Sequence, residues 1–161
     1  MTATTTPVFD FSAQQITPET TREYVFDMIP GTPGIVLAPA HDSNPAYLDA
    51  RLRASIEASE KLTRNRSKKP EKTTPELLKK QIEEDRDADR HLIAEACARG
   101  WTTAPKAVDG SAPEFSAENC YAFLKALPAY MFDPFRNFAQ NLYNFVDQPE
   151  IDEGEADKLG N

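Results

Sequence analysis

The stretch Arg22-Glu23-Tyr24-Val25-Phe26-Asp27-Met28-Ile29-Pro30-Gly31-Thr32-Pro33-Gly34-Ile35-Val36-Leu37-Ala38-Pro39 decides the fold class. Its first eight residues are rich in β-forming side chains, Pro30 to Gly34 is turn chemistry, and Ile35 to Pro39 is a short apolar run. This predicts a β-hairpin with strands near 22 to 29 and 34 to 38. A lone hairpin is rarely stable, and Val8 to Phe11 is the candidate for a third strand. The turn's glycines do not make a phosphate cradle, because its two prolines delete amide donors and no Lys-Ser or Lys-Thr pair follows.

Downstream of the hairpin the pattern changes from strands to helices. Asn44, or Ser43, is placed to cap a helix with Pro45 at its first position, and Tyr47, Leu48, Leu52 and Ile56 recur at helical spacing, which predicts a helix from about 45 to 63. The residues from Thr63 to Thr73 hold no apolar side chain and read as a mobile basic linker. Thr74-Pro75-Glu76 opens a second helix, whose stripe through Leu77, Leu78, Ile82, Ala88, Leu92, Ile93, Ala96 and Cys97 ends at Gly100. Trp101 to Pro113 reads as a loop with a turn at Asp109-Gly110, in which Trp101 and Val108 flank a short hairpin or an extended excursion.

Ser116 is a natural cap for a third helix over 117 to 127, with Phe115 placed to staple against Tyr121 or Cys120. Phe132, Phe135, Phe138, Leu142 and Phe145 then step by three or four residues, predicting a fourth helix over 130 to 145, or two short ones, with Pro134 near the start. The fold class is therefore α+β, a small N-terminal hairpin or three-stranded sheet packed with about four helices. It forms a single domain over 7 to 146, preceded by a flexible 1 to 6. Residues 147 to 161 hold six acids and one lysine and read as a disordered acidic tail.

At 161 residues the chain fits one such domain, and its 40% hydrophobic content is enough to build a core. No apolar run approaches the roughly 18 to 20 residues that span a bilayer, and no leader pattern opens the sequence, so export and membrane insertion are not expected. Two cysteines fit neither a disulfide framework nor a zinc module and point to a reducing cytoplasm. The net charge of -8 repels nucleic acid, although residues 61 to 80 carry eight cations against Glu71 and Glu76, a local +6. No aromatic residue lies between Tyr47 and Trp101 to stack on a base, so nucleic-acid binding is not expected there either.

Catalytic arrangements are not found. His41 and His91 are far apart in sequence, and Cys97 and Cys120 read as small hydrophobes on helix faces. Asp85-Arg86-Asp87-Ala88-Asp89 imitates the start of a calcium loop, but Arg90 stands where glycine is needed and Ala96 where the bidentate acid is needed. Together with Glu83 and Glu84 it reads as a solvated helix face laced with ion pairs. No cofactor and no metal are expected, and the chain is read as not an enzyme. A partner surface is the remaining function, and the aromatic 130 to 145 region is its best location. Phe135, Phe138, Leu142 and Phe145 are expected in the core, while the hydroxyls of Tyr130 and Tyr143 favour a wet contact edge. Trp101 is expected to pack on the third and fourth helices, with a partner contact as the alternative.

One family resemblance goes further. Phe26 to Gly31, Ile35 to Ala40 and Asn44-Pro45-Ala46-Tyr47-Leu48 resemble the N-terminal part of small tail assembly chaperones of long-tailed bacteriophages, in which a hairpin ending in an apolar-Pro-Ala run leads through Asn-x-x-Tyr into a helix. Ala98-Arg99-Gly100-Trp101, Asp109-Gly110, Phe115 to Cys120, Leu127-Pro128, Phe132-Asp133 and Asn141 to Phe145 resemble the same family's C-terminal pattern. The resemblance covers about 24 to 146, leaving 1 to 20 and 63 to 73 outside it. It implies a non-catalytic protein of the infected host's cytoplasm, absent from the mature virion. Such a protein coats the tape measure protein, keeps it soluble and helps recruit tail tube subunits. Self-association and a longer frameshifted form are further implications. The competing expectation is a minor structural component of the tail or head-tail connector that stays in the virion.

Overall fold

The computed structural model describes residues 7–66, 68–69 and 71–147. It is an α+β fold, a three-stranded antiparallel sheet with four helices. The strands are β1 (Arg22–Val25), β2 (Gly34–Leu37) and β3 (Ala98–Thr103), in the order β1-β2-β3. The helices are α1 (Pro45–Arg64), α2 (Pro75–Ala96), α3 (Ala117–Ala126) and α4 (Ala129–Gln140), with 3₁₀ turns at Ser12–Gln14 and Leu142–Asn144.

The hairpin follows its chemistry. Arg22 pairs with Leu37 and Val25 with Gly34, and the chain reverses where Gly31 takes φ +83°. The amide of Phe26 closes the loop on the carbonyl of Pro33 at 2.9 Å. A Cβ at Gly34 would collide with the Thr102 hydroxyl and meet the Glu23 carboxylate of the two neighbouring strands, so both side chains would have to move. Ile35 and Leu37 of the central strand are fully buried.

The third strand is not Val8 to Phe11, whose three apolar side chains are exposed. It is β3, drawn from Ala98 to Gly100, expected to end the second helix, and from Trp101 to Thr103, expected to begin a loop. α2 runs into it with only Cys97 between, so the backbone emerging from the helix falls directly beside β2, pairing Ile35 with Trp101 and Leu37 with Ala98. β-Pairing supplies here what the Ala-Arg-Gly-Trp-Thr-Thr sequence does not advertise by alternation.

The caps at Thr74 and Ser116 are as expected, each hydroxyl accepting from the amide three residues on, at 3.2 and 3.0 Å. Asn44 precedes α1 but makes no side-chain cap. It is instead buried, and its Nδ2 donates to the carbonyls of Pro39 at 3.0 Å and Ala96 at 3.1 Å. One amide thus ties the end of the hairpin to the start of α1 and the end of α2. Phe115 meets Trp101 edge-on at 5.3 Å, where a staple to Tyr121 or Cys120 was expected.

The core lies between the sheet and α3 and α4, around fully buried Phe132, Phe135, Phe145, Ile35, Leu37, Ile93 and Leu124. Tyr24 sits edge-on to Phe26, Phe135 and Phe138, with centroids 5.0 to 5.2 Å away. Phe138 and Leu142, expected in the core, are half-buried. α1 and α2 enter this core only at one end. Tyr47 and Ala50 are the buried side chains of α1, and those of α2 begin at Arg90. From Arg51 to Arg66 every side chain is exposed, a projection of about 21 Å of helix. Leu52, Ile56, Leu78 and Ile82, expected to form inward stripes, are all exposed on this arm. Thr63 and Arg64 of the expected linker belong to α1. The expected flexible 1 to 6 and the acidic tail beyond Asp147 lie outside the described residues.

Candidate partner-binding surface

A groove lined largely by apolar side chains lies between the hairpin turn and the start of α4. Its walls are Asp27, Met28 and Ile29 from the turn, with Tyr130, Met131 and Pro134 from the helix, and the more buried Tyr24 and Phe26 lie beneath. The sequence places these groups there for local reasons. The Phe26 to Pro33 turn throws Met28 outward, 70% exposed, and the Leu127-Pro128 corner starts α4 with Tyr130 facing solvent, 64% exposed. Pro134 has no N–H to give the carbonyl of Tyr130, so that acceptor lacks its usual helical donor beside the groove. The floor is held rigid by the Tyr24 ring contacts with Phe135 and Phe138. Burial pushes the Tyr24 hydroxyl's pKa up, and the nearby Asp27 carboxylate adds to the shift.

Of the three residues expected to contact a partner, only Tyr130 lines this groove. Tyr143 is 78% exposed in the turn after α4, and the helix between the two tyrosines is about 18 Å long. Trp101 is half-buried on β3, edge-on to Phe115 and, at 5.7 Å, to Phe123 of α3. Its indole nitrogen is buried without a hydrogen-bond partner. Met28 and Ile29 were missed by sequence reasoning. The signal was available in two large apolar residues placed just before a Pro-Gly turn, where a polar pair is usual.

The acid and base run on α2, expected to be solvated, is instead half sunk against α3 and α4. Arg86 grips Asp133 with two nitrogens at 3.0 and 3.2 Å and reaches Glu83 at 2.7 Å. Arg90, only 4% exposed, donates to Glu83 at 2.8 Å and lies 4.8 Å above the Phe132 ring. Arg136 binds Asp89 at 3.2 Å, and the Tyr121 hydroxyl donates to Asp87 at 3.0 Å. Hydrogen bonds from Arg86 hold the Asp133 pKa below its ordinary value, and those from Arg90 and Arg86 do the same for Glu83. Burial raises Asp89, which Arg136 only partly offsets. These contacts dock α2 on α3 and α4. The face was legible after all, because Arg86, Arg90, Ile93 and Cys97 share one helical side.

Cys97 and Cys120 are buried, and burial pushes both thiols up to about 12, so they stay protonated and are poor nucleophiles at neutral pH. His41 accepts from the amide of Ser43 at 3.2 Å, while His91 stacks on Tyr121 with centroids 3.6 Å apart. Among the described residues no three His, Cys, Asp or Glu side chains converge to hold a metal ion, and no helix is long and apolar enough to cross a membrane. Comparison with protein-family models, curated proteins and solved structures finds no match to this chain.

Proposed function

We propose that this chain is a tail assembly chaperone of long-tailed bacteriophages. In this reading it binds the tape measure protein, keeps it soluble and helps recruit tail tube subunits in the host cytoplasm, and it is absent from the finished virion. The observation that carries the reading is the groove in which exposed Met28 and Tyr130 flank half-buried Ile29 and Met131 above the aromatic side chains of Tyr24 and Phe26. A long helical client presents apolar side chains every three or four residues, and such a groove suits that spacing. Methionines at its wall adapt to varied side chains, and the chain's net -8 keeps a coated client in solution.

Coexpression with its tape measure protein is the test. The client is expected to stay soluble and to copurify. Because their side chains are exposed, Tyr130→Ala and Met28→Ser are each expected to weaken capture roughly tenfold without moving the melting temperature. Tyr143→Ala reports whether the contact continues past α4. A client equally soluble alone, or captured equally by both groove variants, rejects the reading, as does recovery of this chain from purified virions.

A further inference from the structure

The cations of the chain fall into two populations. On the body and the root of the arm every described cation except Lys106 meets a carboxylate or a carbonyl, from Arg22 with Asp147 at 2.6 Å to Arg53 with Glu95 at 3.9 Å. At the far end of the arm Arg64 and Lys80 reach Glu60 and Glu84 only loosely, at 4.0 and 3.7 Å. Lys61, Arg66, Lys68, Lys69, Lys72 and Lys79 beside them have no acidic partner among the described residues. Like charges gathered on one small tip repel one another and attract an anion. The chain carries a segment of fitting charge, since Glu150, Asp152, Glu153, Glu155 and Asp157 follow Asp147 with Lys158 as the single cation.

The topology starts that segment near the root of the arm. Asp147 is held by Arg22, Arg22 pairs with Leu37, and Leu37 pairs with Ala98, which follows the end of α2. Asn44 binds this same corner to the start of α1. Two strand spacings put the anchor about 10 Å from the root. Lys61 and Lys80, on helices that start at Pro45 and end at Ala96, lie about 24 Å farther out. The chain from Asp147 to Asp157 extends to about 35 Å, enough to bring its acids to the tip. Between root and tip the arm exposes Glu57, Glu84 and Asp85, which repel the segment, so the tip is where it is attracted.

We propose that the acidic segment 148–161 docks on the basic tip of the arm of its own chain, with Glu150 to Asp157 against Lys61 to Lys80, and that this contact closes the tip to other polyanions. The tether holds the acids at an effective concentration in roughly the millimolar range, so individually weak surface pairs suffice. The contact does not use the groove at Tyr130, and it stands or falls apart from the chaperone reading.

Carbodiimide coupling of lysines to carboxylates tests the contact directly, on a dilute mixture of isotope-labelled and unlabelled full chain read by mass spectrometry. Links from Lys68, Lys69 or Lys72 to the acids between Glu150 and Asp157 are expected within single chains at low salt, falling as salt rises. A fluorescent single-stranded oligonucleotide, used as a polyanion probe, should bind the full chain weakly. Neutralising the tail by Glu150→Gln, Asp152→Asn, Glu153→Gln, Glu155→Gln and Asp157→Asn should tighten that binding at least roughly tenfold. Adding Lys68→Glu, Lys69→Glu and Lys72→Glu should abolish the gain. The amide forms of Glu19, Glu23, Asp49, Glu114 and Glu118 make the same change in net charge away from the tail and should not reproduce it. The proposal is overturned if the tail gives no link to the tip, or links only between chains. It is equally overturned if the tail-neutral variant binds the oligonucleotide no more tightly than the body-neutral one.

Discussion

The two ends of α2 obey the same helical period and meet opposite fates. In its last two turns Arg90, Ile93, Ala94 and Ala96 are buried, and Arg86 just before them is clamped to Asp133. In its first turns Leu78 and Ile82 are about half exposed. Nothing intrinsic to the helix separates the halves, since both offer a face of suitable side chains. The difference is what the rest of the chain returns to cover. α4 brings Phe132, Asp133 and Arg136, and α3 brings Tyr121, only to the C-terminal half. Periodicity names a face, and long-range topology decides whether it is core.

The largest effect that tests this division is expected in the covered half. Phe132 is fully buried, beneath the Arg90 guanidinium. Phe132→Ala should cost about 3 to 5 kcal/mol in denaturant unfolding, by lost transfer energy and the cavity left behind. A cost below about 1 kcal/mol would mean that the α2–α4 seam is not part of the cooperative core. The next effect falls where α1, α2 and the hairpin meet. Asn44→Ala leaves the buried carbonyls of Pro39 and Ala96 without this donor and should cost about 2 kcal/mol. Asn44→Asp should be no better, since a carboxylate cannot donate to either carbonyl. An aspartate variant as stable as the parent would show that Asn44 acts only as a helix start.

These sites also mark how far the sequence could be read. The hairpin, the Thr74 and Ser116 caps and four helices were legible because their signals are local: β-rich residues around a Pro-Gly turn, and a hydroxyl three residues before the amide it caps. β3 was not, because Ala98 to Thr103 becomes a strand through its pairing with Ile35 and Leu37, far away in sequence. Asn44 looked like a cap and became a clamp, because the carbonyls it satisfies belong to Pro39 and, 52 residues away, Ala96. Of the contact surface, Tyr130 was legible from its hydroxyl at the edge of an aromatic face. Met28 and Ile29 left a sign, two large apolar residues just before the Pro-Gly turn, but their place against α4 comes only from the fold.

A smaller effect separates two carboxylates on the same seam. Asp133 takes two bonds from Arg86, and Arg136 also lies 3.4 Å away, so its pKa is lowered, whereas Asp89 is raised by burial. Asp133 and Glu83 therefore contribute stability that is full above the ordinary carboxylate value of about 4 and is lost as pH falls through their depressed values. Asp89 works in the opposite sense, since its folded form holds the proton more tightly. Allowing for its one-third exposure, Asp133→Asn should cost about 1 kcal/mol at neutral pH, with the gap from the parent closing in acid. Asp89→Asn should cost less at neutral pH. Equal losses at all pH values would remove the ionic account of the seam.

The smallest effect is expected in the arm, and it bears most directly on the comparison. Ile56 is 60% exposed and Ile82 56%, so in the single chain each leaves more of its surface to water than to its neighbours. If the division of α2 is right, Ile56→Ser and Ile82→Ser should leave the unfolding free energy of the dilute monomer within about 0.5 kcal/mol, apart from the slight helix penalty of serine. Amide exchange should agree, with protection high at Ile93 and Ala94 and low at Leu78 and Ile82, because a helix without a covered face opens locally. Uniform protection along α2 in the dilute chain would contradict the division, since the arm would then share the stability of the body without its contacts.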